Sequence, residues 1–362
     1  MKELDNLIEI SRRYGKNSDY VIAGGGNTSY KNSRHLWIKG SGTSLATINA
    51  EGFVKLNREK LKEIAIKTYP EDAVLREEQV KNDLATAIED REGKRPSVET
   101  SLHELLDYPY VVHTHPAKVN GLTCSNQAEK RTAELFGEDA LFIPYTDPGY
   151  TLFKVVDNKV KEYRNKNARY PKIVILENHG VFVSADTTEE IDEIYGVLNN
   201  KLDSVISVIP FDSVDNSVES TIMINGDKKV KIEKSSPLIN YFTDNLERFS
   251  LVNIAFTPDN IVYCKAYYPM ADSDETLIDT IIGFKADKGY LPRVTAIEKH
   301  GIVVIEDTLK SAHTVLEVFE DMLKTAVYAE NFGGAKAMTP DQIAFIDNWE
   351  VENYRRKISK EQ

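Results

Sequence analysis

Two stretches of the sequence match each other. PKIVILENHGVFVSADTTEE begins at residue 171, and PRVTAIEKHGIVVIEDTLKS begins at residue 292. Pro, Glu, His-Gly and Asp-Thr coincide at a constant offset of 121. Each copy reads as a short apolar strand, a turn through His-Gly, a second apolar strand and then a helical pattern. Chemically alike stretches favour the same local structure, so the match points to two related α/β units. A solenoid would need more copies. With 362 residues the chain is long enough for each unit to bury a core of its own.

The rest of the pattern fits an alternation of helices and strands. A helix is expected over 3–14, a strand over HLWIK (35–39), and helical spacing over 53–66 and 76–90. In PSVETSLHELL, Ser97 reads as an N-cap, with Leu102, Leu105 and Leu106 as the apolar face. YVVHTH reads as a strand, AEKRTAELFG as a helix ending at Gly137, and 188–206 as a helix. Residues 209–236 are rich in Ser, Asp and Asn, and they contain INGDKKVKI, a hairpin pattern. The expected domains are therefore 1–208, a linker and hairpin at 209–236, and a second α/β domain at 237–362 that partly repeats the first. In the second domain LVNIAFT and IVYCKAY read as strands around a PDN turn. A helix over 275–286, strands over 293–298 and 301–305, a helix over 309–330 and a C-terminal helix follow.

Composition removes several function classes. The net charge is −12 and no long basic run occurs, which disfavours nucleic acid as a partner. No stretch approaches 18 consecutive apolar residues, so no membrane span is expected. MKELDNLIEISRRYG is charged throughout and reads as an amphipathic helix, not a signal peptide. Cys124 and Cys264 form no metal or disulfide pattern, as expected of a reduced, cytoplasmic protein.

The chain has seven histidines, so their clustering is informative. In VVHTHP, His113 and His115 stand two apart on an expected strand, where side chains at i and i+2 share a face. Alone, this pattern describes exposed strand histidines as well as half a metal site. His179, at the ENHG turn, could be presented as a third ligand. Three imidazoles with one open position form a catalytic zinc arrangement. Glu99, in the first turn of its helix, reads either as an acid favoured by the helix dipole or as a general base. His103, four residues on, shares its side of the helix and reads as a packed or hydrogen-bonded histidine. AGGGNTSYK and KGSGTSL bracket a strand. Their glycines, with Lys39, Ser41, Thr43 and Ser44, form a plausible phosphate cradle.

The motifs GGGNTS, IKGSGTSL, RPSVETSLH, VVHTHP, IPYTDPGYTLF and ENHGVFV, in this order and spacing, resemble the class II aldolase/adducin family over roughly residues 1–208. The wording is most similar to the bacterial L-rhamnulose-1-phosphate aldolase-like branch with an added C-terminal domain. The resemblance implies a three-layer αβα domain with a central, mainly antiparallel sheet, followed by a smaller related α/β domain. It implies that His113, His115 and His179 hold one Zn2+ per chain and that Glu99 is the catalytic acid/base. It implies that Gly26, Asn27, Ser41, Gly42 and Ser97 hold the substrate's phosphate. Many relatives carry Ser-Ser or Thr-Ser before the glutamate, whereas this chain carries Ser97-Val98. An epimerase branch carries Asp where Glu99 stands, which favours the aldolase reading.

The expected activity is cleavage of a ketose 1-phosphate of rhamnulose or fuculose type to dihydroxyacetone phosphate and a small aldehyde, by a homo-oligomer such as a tetramer. The alternatives are an epimerase or dehydratase on the same site, or a non-catalytic module like the adducins. Tyr145 and Tyr150 flank the TDPG loop, as a possible acid or as packing residues. His300, the repeat counterpart of His179, has no HxH pair anywhere in 209–362, so no catalytic metal is expected there.

Overall fold

The run YVVHT at 110–114 forms a strand with every residue buried. Such a strand needs a neighbour on each edge and a layer on each face. The computed structural model, which describes residues 2–89, 94–207, 216–224 and 226–349, shows both. Seven strands make the first sheet: β1 (Asn27–Lys31), β2 (His35–Lys39), β3 (Phe53–Asn57), β4 (Tyr110–Thr114), β5 (Ala140–Ile143), β6 (Ile173–Leu176) and β7 (Gly180–Ala185). Their order is β3-β2-β1-β4-β7-β6-β5. β5 and β6 run parallel; the other pairings are antiparallel.

Helices cover both faces. On one, Val111, Val174, Leu176 and Phe182 pack with Leu102 and Leu106 and with Leu152, Phe153, Val156 and Val160 of the helix Tyr150–Asn167. On the other, Tyr195 of the helix Thr188–Asp203 bonds Thr114 through its hydroxyl, and Ser11 of the helix Lys2–Gly15 bonds Thr28. The three-layer, mainly antiparallel α/β fold is as the sequence led one to expect.

Among the described residues the chain divides into two units. One comprises the residues up to Val119 together with Glu129–Ser204; the other comprises Asn120–Ala128 and the residues from Val205 onward. The second has its own sheet of β8 (Asn216–Ile224), β9 (Asp227–Ser235), β10 (Met270–Ala271), β11 (Val294–Ile297) and β12 (Gly301–Glu306), in the order β10-β11-β12-β9-β8. β10 and β11 run parallel, and the rest are antiparallel. That order and those directions reproduce β5-β6-β7-β4-β1. The repeat extends to local devices. Thr187 and Thr308 each cap the following helix by accepting from a backbone N–H three residues on. Asn178 (φ 53°) and Lys299 (φ 60°) occupy the left-handed region at equivalent places in the two turns.

Several elements differ from the sequence expectation. Residues 53–57 are a strand, because Phe53, Val54 and Leu56 pair with β2; the helix Arg58–Ile66 begins only after Asn57 caps it. Ser97 is not the N-cap: its carbonyl accepts from Thr100 N and its hydroxyl from Glu99 N, so it makes the turn before the helix Thr100–Leu105. IVYCKAY is not a strand. Thr257 and Asn260 form a capping box with Pro258 in the first turn, and this start signal overrides a β-branched run in the helix Pro258–Cys264. LVNIAFT forms no strand either, beyond one isolated bridge at Ile254. The helix Tyr150–Asn167 has no counterpart among the expected elements; Glu77, from another helix, accepts its first N–H. Residues 209–215 of the expected linker, and those beyond 349, lie outside the described residues. Among the described residues no helix is long and apolar enough to cross a membrane.

Two glycines give opposite expectations. Gly301 has φ 130°, and a Cβ there would run into the Lys234 carbonyl of β9. Gly196 is exposed in a helix, with nothing within 4 Å of a Cβ. Gly301→Ala is expected to lose about 2 kcal/mol or more, and Gly196→Ala to gain roughly 0.5–1 kcal/mol. Thermal unfolding of the two variants beside wild type checks both signs.

Candidate metal centre

The register of the first sheet determines what stands beside what. On β4, His113 pairs with Asn27 of β1 on one side and with Phe182 of β7 on the other. Its ring stacks on Phe182 at 4.0 Å between centroids and is fully buried. His113 Nδ1 donates to the Val181 carbonyl at 3.0 Å, leaving the Nε2 lone pair facing the other way. A ligand histidine characteristically makes this second-side bond, because it fixes the tautomer and ring orientation.

His115 lies one residue past β4, its backbone N–H donating to the Tyr20 carbonyl. Its Nε2 is 2.9 Å from His113 Nε2. Two lone pairs that close repel unless a proton or a cation lies between them. His179 arrives on the turn between β6 and β7, where left-handed Asn178 lets His179 N bond back to Leu176 O. The next residue has to be small: a Cβ on Gly180 would sit 2.5 Å from the Thr114 carbonyl and 2.7 Å from His115 Cδ2. One ligand atom from each of the three histidines lies within 4.8 Å of the others. Among the described residues this is the one group of three or more His, Cys, Asp or Glu side chains so placed.

Glu99 N-caps the helix Thr100–Leu105 by position, yet its side chain makes no capping bond. It turns instead to the histidines. Oε2 accepts from Asn27 Nδ2 at 2.6 Å. Oε1 is buried with no hydrogen-bond partner, 3.4 Å from His113 Nε2 and 3.6 Å from His179 Nε2. A buried carboxylate oxygen left unbonded is costly. A divalent ion among three imidazole nitrogens would offset that cost, so the donor set fits the expected metal.

The glycine-rich loop is tied down rather than loose. Lys39, buried at the end of β2, donates through Nζ to the Gly26 carbonyl at 2.9 Å and the Gly24 carbonyl at 3.2 Å. Gly26 has φ 64°, and a Cβ on it would be 2.7 Å from the His113 carbonyl. Ser41 N donates to Arg95 O, and Ser97 N to Lys39 O. Backbone bonds thus join the loops carrying Ser41, Gly42 (φ 81°) and Ser97, and the Ser97 hydroxyl accepts from Glu99 N. Asn27 is engaged at both ends of its amide, with Glu99 and with His103 Nε2. His103 is fully buried, and its pKa is pushed well below the usual imidazole value by burial and by the nearby His113 and Lys31. The Tyr145 hydroxyl contacts Asp147 at 3.4 Å and that of Tyr150 the Lys67 carbonyl at 3.2 Å, so neither bonds the histidine group. Sequence reasoning missed Ser29 and Lys31, which bond His103. The signal was there: Asn27, Ser29 and Lys31 alternate as polar residues on a strand that is buried.

The repeat shows what the second unit lacks. Val303 of β12, the counterpart of Phe182, pairs with Glu233 of β9. Gly301, the counterpart of Gly180, approaches Lys234 O and Ser235. Glu233 and Ser235 therefore stand where His113 and His115 stand. His300 is exposed, its Nδ1 donating to the Glu298 carbonyl.

Residues 5–197 match the family described as the Class II Aldolase and Adducin N-terminal domain. A Bacillus subtilis (strain 168) protein described as uncharacterized oxidoreductase YuxG is 29% identical over 197 residues, which are 52% of this chain and 27% of that protein. The chain thus spans only about a quarter of the length of that relative. Among solved structures, the N-terminal class II aldolase domain of a conserved Thermoplasma acidophilum protein is 27% identical, with a TM-score of 0.46, over 56% of this chain and 92% of that one. L-fuculose-1-phosphate aldolase from Thermus thermophilus is 15% identical, with a TM-score of 0.36, over 56% and 91%.

The geometry gives a paired expectation. His113→Ala should lower bound divalent metal from about one per chain to near zero, since two imidazoles hold such an ion poorly. His300→Ala should leave the stoichiometry unchanged. Elemental analysis of the purified variants decides, and a loss of metal in His300→Ala would contradict the reading.

Proposed function

The chain belongs to the class II aldolase and adducin N-terminal domain family, and on that premise we propose that it is a zinc-dependent aldolase of ketose 1-phosphates. The substrate is of rhamnulose or fuculose type, and the products are dihydroxyacetone phosphate and a small aldehyde. The observation that carries this reading is the unbonded Glu99 Oε1 facing the imidazole nitrogens of His113 and His179.

In this reading His113, His115 and His179 hold one zinc per chain. Bound there, a divalent ion supplies Lewis-acid polarisation of a carbonyl. The other work falls to the protein's own groups. Breaking the C3–C4 bond turns C4 into the aldehyde as its hydroxyl gives up a proton, and leaves the bond's electron pair at C3, to which Glu99 delivers a proton, so that one proton leaves oxygen and one arrives at carbon. Asn27 holds Oε2, so Oε1 is the oxygen free to carry the proton. Gly26, Asn27, Ser41, Gly42 and Ser97 bind the phosphate. Two observations support that role: the positive φ at Gly26 and Gly42, and the buried Lys39 ammonium against the carbonyls of Gly24 and Gly26. Where many relatives have a second hydroxyl this chain has Val98, so the cradle rests on backbone N–H groups and Ser97. The reading includes a homo-oligomer, supported by the exposed apolar side chains of Ile66, Val74 and Leu75. It also includes a cytoplasmic setting, consistent with two buried cysteines that form no disulfide.

Dihydroxyacetone phosphate release from a panel of ketose 1-phosphates is the direct test. Chelation should abolish release, and zinc should restore it. A phosphorylated epimer or a dehydrated sugar as the product would replace the aldolase assignment. Glu99→Gln should keep its metal and lose roughly 10²-fold or more in kcat. Turnover near the wild-type value would move the acid/base role elsewhere.

A further inference from the structure

Strand β1 presents a polar stripe to the protein interior. Asn27, Ser29 and Lys31 alternate along it, all are buried, and all three bond the same residue, His103. Asn27 Oδ1 contacts His103 Nε2, the Ser29 hydroxyl lies 2.7 Å from His103 Nδ1, and Lys31 Nζ donates to the His103 carbonyl. Polar side chains are costly to bury, and apolar ones would pack there with less penalty. A stripe devoted to one residue, with two of its members on the imidazole and the third on the backbone carbonyl, therefore calls for a reason.

The directions of the bonds supply it. Asn27 Nδ2 faces the Glu99 carboxylate, to which it donates. Its oxygen then points to His103 Nε2, which has to carry the proton. Nδ1 is left as an acceptor, and the Ser29 hydroxyl donates to it. With the other tautomer, Nε2 would demand a donor from Asn27, the amide would turn over, and its oxygen would oppose the carboxylate.

We propose that His103, held by Ser29, is a positioning residue that fixes the Asn27 amide and, through it, aims Glu99 at the three-histidine group. The chain runs Ser29 O–H to His103 Nδ1, His103 Nε2–H to Asn27 Oδ1, and Asn27 N–H to Glu99 Oε2. Only Oε1 is left unbonded. The proposal rests on the acid/base role given to Glu99 above, but the polarity of the chain is testable apart from it.

Two measurements test it. Side-chain 15N NMR of the histidine-labelled protein, with His103 assigned by its loss in His103→Gln, should find His103 in the Nε2–H form. The Nδ1–H form would overturn the proposal whatever the enzyme's substrate. In kinetics, Gln sets an amide nitrogen near the place of Nε2, and Asn sets one near Nδ1. His103→Gln should keep kcat within about threefold. His103→Asn should lose roughly 10- to 100-fold in kcat, with KM within about twofold and metal stoichiometry unchanged. Equal losses in both variants, or none in His103→Asn, would overturn the positioning role. If wild type releases no dihydroxyacetone phosphate from any ketose 1-phosphate, the functional reading fails, and the tautomer alone decides the proposal.

Discussion

The antiparallel pairing of β1 with β4 is the constraint on which the site depends. One register sets Asn27 beside His113, Ser29 beside Val111 and Tyr30 beside Tyr110. A slip of one residue would turn the polar stripe of β1 to the opposite face and bring Thr28 and Tyr30 in its place. It would separate Asn27 from Glu99 and the glycine loop from the His113 carbonyl at once. Gly26 makes the register possible, because no larger residue can stand so close to that carbonyl. Lys39 holds the loop from behind through two of its carbonyls.

The second unit shows which features belong to the frame and which to the chemistry. The left-handed residue in the turn, the glycine crowding the neighbouring strand and the threonine cap recur at an offset of 121. They solve problems of chain geometry that any such strand–turn–strand–helix unit has to solve. The residues on the facing strand do not recur: Glu233 and Ser235 stand for His113 and His115. The frame recurs in the second unit without the histidine donors. Its core of Ile281, Ile297, Val303 and Ile305 is apolar and does not involve His300.

Much of the site was readable from residue types and spacing. HxH on an apolar strand, histidine before glycine in a turn, and a glutamate shortly before the strand are local patterns with local physical meaning. Reading failed where a signal depended on context. IVYCKAY has strand propensity, but the capping box at Thr257 and Asn260 starts a helix. Phe53–Asn57 sits in a helical spacing, but pairing with β2 makes it a strand. Tyr150 opens a helix whose first N–H is satisfied by Glu77, a partner 73 residues away.

The sequence by itself showed the two-unit repeat, through its constant offset, and grouped three histidines as candidate ligands; its residues left Glu99 between a helix-end acid and a general base, and only the family resemblance implied the latter. Tertiary structure alone decided how Glu99 is oriented. As a residue at a helix start it could equally have capped that helix. Only the convergence of β1, β4 and the β6–β7 turn gives its carboxylate an amide on one oxygen and imidazoles on the other. Those partners lie 72, 14 and 80 residues away along the chain, and no local pattern reports so distant a contact.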